Sequence, residues 1–320
     1  ASPWASAMPY DITAEGKKQS FVAGMGGWSW DFFAYKQRNW VGQEYLNIAR
    51  VGFIGDNNTS SSAPSSLTDA QKSSIDTELN NIAPTGAKRL LLLCDMSDSS
   101  GSVSESNWTA SSFLSATKDK RRRTNYVKQM ELAVKYIEAK GYTVVAVAPF
   151  NEPDYDALGT SGKSAKAFNA VAEVMQSNAT LKGRVFGPNT LNDSEGKTWY
   201  GTVKNNINFI NTHQLAGTFS DLISFWDTGV KDGKRAIADE MHNVLEAMVA
   251  VNHGAEYGTW WGYDGVARAE FSHLIADGRQ IAYKEDYDHW MVSGIYRYDD
   301  EVDRAKIIIG TSERQAVANT

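Results

Sequence analysis

The chain has 320 residues and a single cysteine, Cys94, so no disulfide closes within it. Cys94 directly follows the apolar run Leu90–Leu93 and reads as a buried strand residue, not a nucleophile. No stretch of 18 or more apolar residues is present, which excludes a membrane-spanning helix as partner of a bilayer. No signal segment is visible at Ala1. The small-residue opening Ala1-Ser2-Pro3 suits a mature end after cleavage, and a secreted or cell-surface location is expected. Positive charge is also in short supply, with a formal net charge of -6. Phosphate binding needs a basic face, so no nucleic-acid partner is expected. The one strongly basic run, Lys118 to Arg123, reads as a solvated helix face. Five histidines lack the close spacing of a zinc site, and no aspartate-rich loop resembles a calcium motif. Neither metal nor cofactor is expected. No lysine stands at a strand end, and Gly24-Met25-Gly26-Gly27 leads into Trp28 instead of a helix start. Both absences argue against Schiff-base and phosphate-handling enzymes.

What is present is an alternation of short apolar runs with longer amphipathic stretches, the pattern of an α/β chain with a parallel sheet. Eight strand candidates can be counted: Ala23–Trp28, Ile48–Ile54, Arg89–Asp95, Thr143–Pro149, Arg184–Gly187, Phe209–His213, Ala236–Glu240 and Tyr257–Trp261. The clearest helix is Thr124–Lys140, in which Tyr126, Met130, Ala133 and Ile137 recur at helical spacing before Gly141. Eight strands and a length above about 250 residues predict a (β/α)8 TIM barrel over residues 20–290. Gly294–Tyr298 and Ala305–Ile309 read as strands without an intervening helix, and Tyr10–Val22 has extended character. Residues 1–19 and 291–320 are therefore expected to form a small flanking β-sheet or β-sandwich. The polar stretches Asn57–Ser66 and Asp95–Asn107 follow strands and suit the walls of a cleft.

Ten tryptophans are many for this length. Trp28, Trp30, Trp40, Trp226, Trp260 and Trp261 stand beside small or polar residues, as stacking platforms for sugar rings do. The chemistry centres on Ala148-Pro149-Phe150-Asn151-Glu152-Pro153, where an apolar strand runs straight into Asn-Glu-Pro. Pro153 has no N–H to continue a ladder and is expected to hold Glu152 extended. A glutamate at the carboxyl end of a barrel strand is placed to protonate a glycosidic oxygen, and Asn151 beside it to hold a sugar hydroxyl. Glycoside hydrolysis needs a second carboxylate. Glu240 ends Arg235-Ala236-Ile237-Ala238-Asp239-Glu240, about three βα units of roughly 30 residues beyond Glu152. Asp239, Glu256 and Glu270 compete, and neighbours on a strand point opposite ways. Glu240 is preferred over Asp239 for its longer arm and terminal position. Arg50, a charge inside the apolar stretch Leu46–Gly52, needs a partner and suits the nucleophile. His213, ending strand six, suits the nucleophile or a sugar hydroxyl, and His242 lies close behind Glu240. Trp260, Trp261 and Tyr263 stand at the end of the last strand and suit the floor of a sugar subsite.

These residues together resemble clan A glycoside hydrolases, and most closely family 30. Gln19–Gly27 is similar to that family's first strand, Ala49–Gly55 to its arginine-bearing second strand, and Tyr126–Pro153 to its helix-strand-Asn-Glu-Pro stretch. Asn211-Thr212-His213 resembles its histidine strand. The resemblance implies a retaining mechanism with Glu152 as acid/base and Glu240 as nucleophile, and a β-sandwich against the barrel. Ala-Asp-Glu stands where the family more often has Thr-Glu or Ser-Glu, and Met25 where Phe is usual. Agarase and porphyranase families of the same clan share the likeness. The expectation is a monomeric endo-acting retaining hydrolase of a β-linked polysaccharide, a galactan, xylan or β-glucan. The alternative is a barrel that binds carbohydrate without turning it over.

Overall fold

The computed structural model describes residues 7–26, 45–55, 62–95, 118–155, 165–262, 266–287 and 289–311. Eight parallel strands build the central sheet: β1 Val22–Gly26, β2 Ile48–Ile54, β3 Arg89–Asp95, β4 Thr143–Ala148, β5 Phe186–Pro188, β6 Phe209–Asn211, β7 Arg235–Met241 and β8 Ala255–Trp261. Their spatial order is β4-β3-β2-β1-β8-β7-β6-β5. A parallel bridge between Val147 and Val185, with Val147 N–H donating to the Arg184 carbonyl at 2.7 Å, joins the two ends. The sheet is thus a closed (β/α)8 barrel, as expected from sequence.

Strand periodicity divides the apolar residues into two cores. Ile48, Leu91, Leu93, Ala146, Ala148, Phe186, Phe209 and Ile237 fill the barrel. Their neighbours Ala49, Val51, Leu90, Leu92, Cys94 and Val147 face outward to the helices. Both faces of these strands are buried, which is why they read as continuous apolar runs. Gly24 lies on β1 where it meets β2. A Cβ there would fall 1.7 Å from the Ile48 carbonyl oxygen, so only glycine lets the two backbones approach.

The described helices are α1 Asp69–Ile82, α2 Lys118–Glu138, α3 Ala165–Gln176, α4 Asp193–Val203, α5 Phe219–Lys231, α6 Val244–Asn252 and α7 Val266–Asp277. Their starts are chemically marked. Thr68 and Gln71 form a reciprocal capping box on α1, while Asn192, Thr218 and Asn243 cap α4, α5 and α6. In α2 the helical spacing buries Tyr126, Met130, Ala133 and Ile137 against the barrel. Met130 and Ile137 each contribute about 1.5–3 kcal/mol when fully buried. No described helix is long and apolar enough to cross a membrane.

Three antiparallel strands follow: β9 Gly278–Asp286, β10 Met291–Tyr298 and β11 Lys306–Thr311, in the order β11-β10-β9. Val292, Tyr296 and Ile308 bury one face of this sheet against the helical core. The barrel ends at Asp277, before the expected boundary at 290, because Gly278–Asp286 pairs along the whole of β10. The N-terminal segment joins the same sheet, where Lys17 bridges Gln280 and Arg297 donates to the Ile12 and Glu15 carbonyls.

Candidate active site

The middle of β2 and the carboxyl ends of β4, β6, β7 and β8 bring five of the sequence-selected residues together: Arg50, Glu152, His213, Glu240 and Trp261. Glu152 lies four residues beyond β4. Its backbone is not extended as the following proline suggested; its φ is 45°, in the left-handed region. The strain is held by hydrogen bonds. Glu152 N–H donates to the Asn189 carbonyl at 2.9 Å, and the Glu152 carbonyl accepts from Tyr155 N–H at 3.0 Å. Asp154 adds a brace by accepting from Leu191 and Asn192 N–H at 2.7 and 3.0 Å, tying the loop after β4 to the loop after β5. Burial pushes the Asp154 carboxyl up to about 6, against those hydrogen bonds.

The end of β7 departs from simple alternation. Ala238 pairs with Gly258, but the next partners are Met241 and Trp260, so β7 carries one extra residue there. This bulge turns Asp239 and Glu240 into the barrel mouth together. Opposite faces were expected for these neighbours, but both carboxylates turn inward to Arg50 and His213. Arg50 donates to Asp239 Oδ2 and to Glu240 Oε1, each at 3.1 Å. Burial opposes charge on Arg50, but Asp239 and then Glu240 outweigh it and hold its pKa above the usual value.

His213 stands at the centre. Its Nε2 is 2.7 Å from Asp239 Oδ1, and its Nδ1 is 3.1 Å from Glu152 Oε2 and 2.9 Å from Glu240 Oε2. Burial alone would favour the neutral ring, yet Glu240 and Asp239 raise its pKa well above the ordinary value. His242 approaches from the other side, with Nε2 at 3.2 Å from Glu240 Oε2 and Nδ1 at 3.0 Å from Glu246. Burial works against its charge too, but Glu246 and Glu240 carry its pKa up to about 9. Burial would raise the Glu240 carboxyl. His213 and Arg50 instead hold it well below the usual carboxylate range. Asp239 is held down in the same way by His213 and Arg50.

Asparagines carry the frame across the barrel. Asn189 donates to the Phe150 carbonyl at 2.9 Å, Asn211 donates to Asp239 Oδ1 at 2.9 Å, and Asp239 N–H donates to Asn211 Oδ1 at 3.0 Å. Asn211 also donates to Asn189. This ladder runs from the end of β4 to β7 and sets Glu152 against Glu240. Oxygens of the two carboxylates and Nδ1 of His213 all lie within 4.8 Å of one another. A cation could take one ligand atom from each, but both His213 nitrogens already face carboxylates. Asn151, 5% exposed, sits beside Glu152.

The aromatic candidates divide. Trp261 faces the site, its ring centroid 5.8 Å from the Arg50 guanidinium carbon. Trp260 does not line the cleft. It points outward by strand alternation, fully buried, with Nε1 donating to Ser272 Oγ at 2.9 Å and Phe271 edge-on. Trp226 is likewise buried, within α5. Trp28, Trp30, Trp40 and Tyr263 lie outside the described residues. Glu256 pairs with Arg235 at the opposite end of the barrel, and Glu270 with Lys306, so neither competes for the second carboxylate. Sequence reasoning missed Asn189, Glu246 and Arg268. Arg268 donates to the carbonyls of Trp261 and Gly262 at 3.0 and 2.6 Å and to that of His242, clamping the ends of β7 and β8. Nothing in its helical context marks it.

No protein-family model matches the chain, nor does any curated protein. Solved structures do. The catalytic domain of a GH30 xylanase from Talaromyces cellulolyticus superposes with TM-score 0.56 at 14% identity, over 89% of this chain and 83% of that one. The GH30 endoxylanase from Clostridium papyrosolvens gives 0.58 at 16%, over 95% and 84%. The fold is that of the family 30 glycoside hydrolases. An endo-β-1,6-glucanase shares it, with TM-score 0.59 at 11% identity over 95% of this chain and 87% of its own. In this chain the flanking sheet comes from both the N-terminal segment and the strands after Asp277.

Proposed function

We propose that this protein is a retaining glycoside hydrolase that cleaves a β-linked polysaccharide internally, with Glu152 as acid/base and Glu240 as nucleophile. The observation that carries the reading is the pairing of Glu152 and Glu240 at the ends of β4 and β7, with carboxylate oxygens inside 4.8 Å. Retaining enzymes hold their carboxyl groups about 5–5.5 Å apart, whereas inverting enzymes leave about 6.5–9.5 Å for a water. The electrostatics support the roles. Arg50, His213 and His242 keep Glu240 ionised, as a nucleophile must be. In the first step Glu152 gives a proton to the glycosidic oxygen, the C–O bond breaks, and Glu240 bonds to the anomeric carbon. In the second, Glu152 takes a proton from water as the water oxygen displaces Glu240. Asn151 holds a sugar hydroxyl and Trp261 stacks on the ring beside the scissile bond. We further propose a secreted monomer that uses neither metal nor cofactor.

The test is a hydrolysis screen on agarose, porphyran, xylan, laminarin, pustulan and β-galactan. Xylan and pustulan stand in for the polymers in the names of the structural neighbours. Oligosaccharide release from one polymer, lost by at least about 10³-fold in Glu152→Gln and Glu240→Gln with circular dichroism unchanged, supports the reading. Wild-type turnover by both variants overturns it.

A further inference from the structure

We infer that the catalytic proton is stored in the free enzyme on His213, held there by Asp239, and handed to Glu152 during the reaction. The inference rests on the reading of Glu152 as acid. The geometry is a line of three groups, Asp239 Oδ1 to His213 Nε2 at 2.7 Å and His213 Nδ1 to Glu152 Oε2 at 3.1 Å. An ionised carboxylate only accepts hydrogen bonds. A ring that meets carboxylates at both nitrogens is satisfied by a proton on each. A second carboxylate, Glu240, also meets Nδ1, at 2.9 Å. The ring is fully buried, away from bulk solvent. The charged groups around it are Glu152 from the end of β4, Asp239 and Glu240 from β7, and His242, whose ring centroid is 6.3 Å away. Arg50 from β2 binds the same two β7 carboxylates.

Asp239 is the residue this arrangement adds. The bulge in β7 brings it inward next to Glu240, and Arg50, Asn211 and its own backbone fix it in place. Its carboxylate keeps the Nε2 proton on the ring and leaves the Nδ1 proton as the one free to move. In glycosylation the Nδ1 proton passes to Glu152 as the glycosidic oxygen is protonated and departs with its aglycone. Glu240 forms the bond to the anomeric carbon, and His213 is left neutral with its remaining proton toward Asp239. In the second step water loses a proton to Glu152, which returns one to Nδ1, while the water oxygen replaces Glu240. Protons and bonds balance over the cycle, and Asp239 and His213 act as positioning residues through Glu152.

Two readouts test this on the intact chain. The first is nitrogen NMR of histidine-labelled protein, in which five imidazoles are resolved and His213 is assigned by its absence in His213→Gln. The wild-type ring is expected to be doubly protonated at about pH 7.5, and the Asp239→Asn ring to lose a proton at least about one pH unit lower. A neutral wild-type His213 at that pH overturns the proposal, and this holds even should the variant not fold. The second is a pair of β-glycosides of the sugar released from the polymer, one phenyl and one 2,4-dinitrophenyl. Dinitrophenolate leaves without a proton. Asp239→Asn is expected to lose about 10²-fold more activity on the phenyl than on the dinitrophenyl compound. Equal losses overturn the proposal. Glu152→Gln is the control. Leaving-group dependence in Glu152→Gln with none in Asp239→Asn refutes only the proton store. Equal losses on both compounds in Glu152→Gln refute the assignment of the acid itself.

Discussion

Arg50 is the residue on which the charge balance turns, since it is fully buried between Asp239 and Glu240. Arg50→Met keeps the volume of the stem and removes the charge, leaving two buried carboxylates short of a cation. A loss of about 3–5 kcal/mol in chemical denaturation is expected, along with activity. A variant as stable as the parent would show that the carboxylates find other partners. The tryptophans give a paired test. Trp261→Ala is expected to raise KM about tenfold with little change in melting temperature. Trp260→Ala is expected to cost about 3–5 kcal/mol of stability because it empties a packed position behind β8. The opposite pattern would return Trp260 to the cleft. The sequence signalled Arg50, Glu152 and His213 because each is a polar residue in or just after an apolar strand. It could not tell Trp260 from Trp261, since adjacent aromatics at a strand end carry no mark of facing. Nor could it place Glu152 in the left-handed region, where the Asn189 carbonyl holds its N–H against the preference imposed by Pro153.

Among the elements, β7 supplies two carboxylates to the site, Asp239 and Glu240, and its bulge is what a strict period of two cannot foresee. With perfect alternation one of Asp239 and Glu240 would be buried among the helices. One inserted residue instead gives the site both carboxylates. The limits of β2, β3 and β4 were legible because each is a nearly continuous apolar run. The strands β5 and β6 are only three residues each, and the residues they bring to the site, Asn189 and His213, stand just beyond them. The clamp from α7 is a further case in which tertiary contact, not pattern, assigns a role. Arg268 donates to backbone on both β7 and β8 rims. Arg268→Leu is expected to lower kcat about tenfold with the fold retained, through displacement of His242 and Trp261. Unchanged kcat would make the clamp purely structural.

For the molecule as a whole, buried protonation sets the pH at which it is most stable. Burial, the largest influence, lifts the Asp193 carboxyl from 3.8 to about 8, against the hydrogen bond from Thr218 N–H. His242 rises from 6.5 to about 9 because Glu246 and Glu240 outweigh burial. Both groups hold a proton more tightly folded than unfolded. Their contributions are whole below the unfolded values and are lost as pH rises through about 8 and about 9 respectively. Glu240 works in the other direction: its stabilisation is present above 4.5 and is lost as pH falls below it. The denaturation midpoint is expected to decline from about pH 6 to about pH 9.5, and Asp193→Asn to flatten that decline. A midpoint that climbs over this range would contradict the assignment.

The barrel was legible as a whole because eight strands and their crossovers follow from pattern and length, and the C-terminal strands because no helix separates them. The share of β9 in the flanking sheet was not, since a strand that follows a helix reads the same in either sheet. The central claim concerns two carboxylates set close enough for double displacement. It is tested most directly by proton NMR of the product formed in the first minutes on the polymer that the enzyme degrades. The account predicts that the β-anomer appears first and then mutarotates. Initial release of the α-anomer would mean inversion by a water between Glu152 and Glu240, and would contradict it.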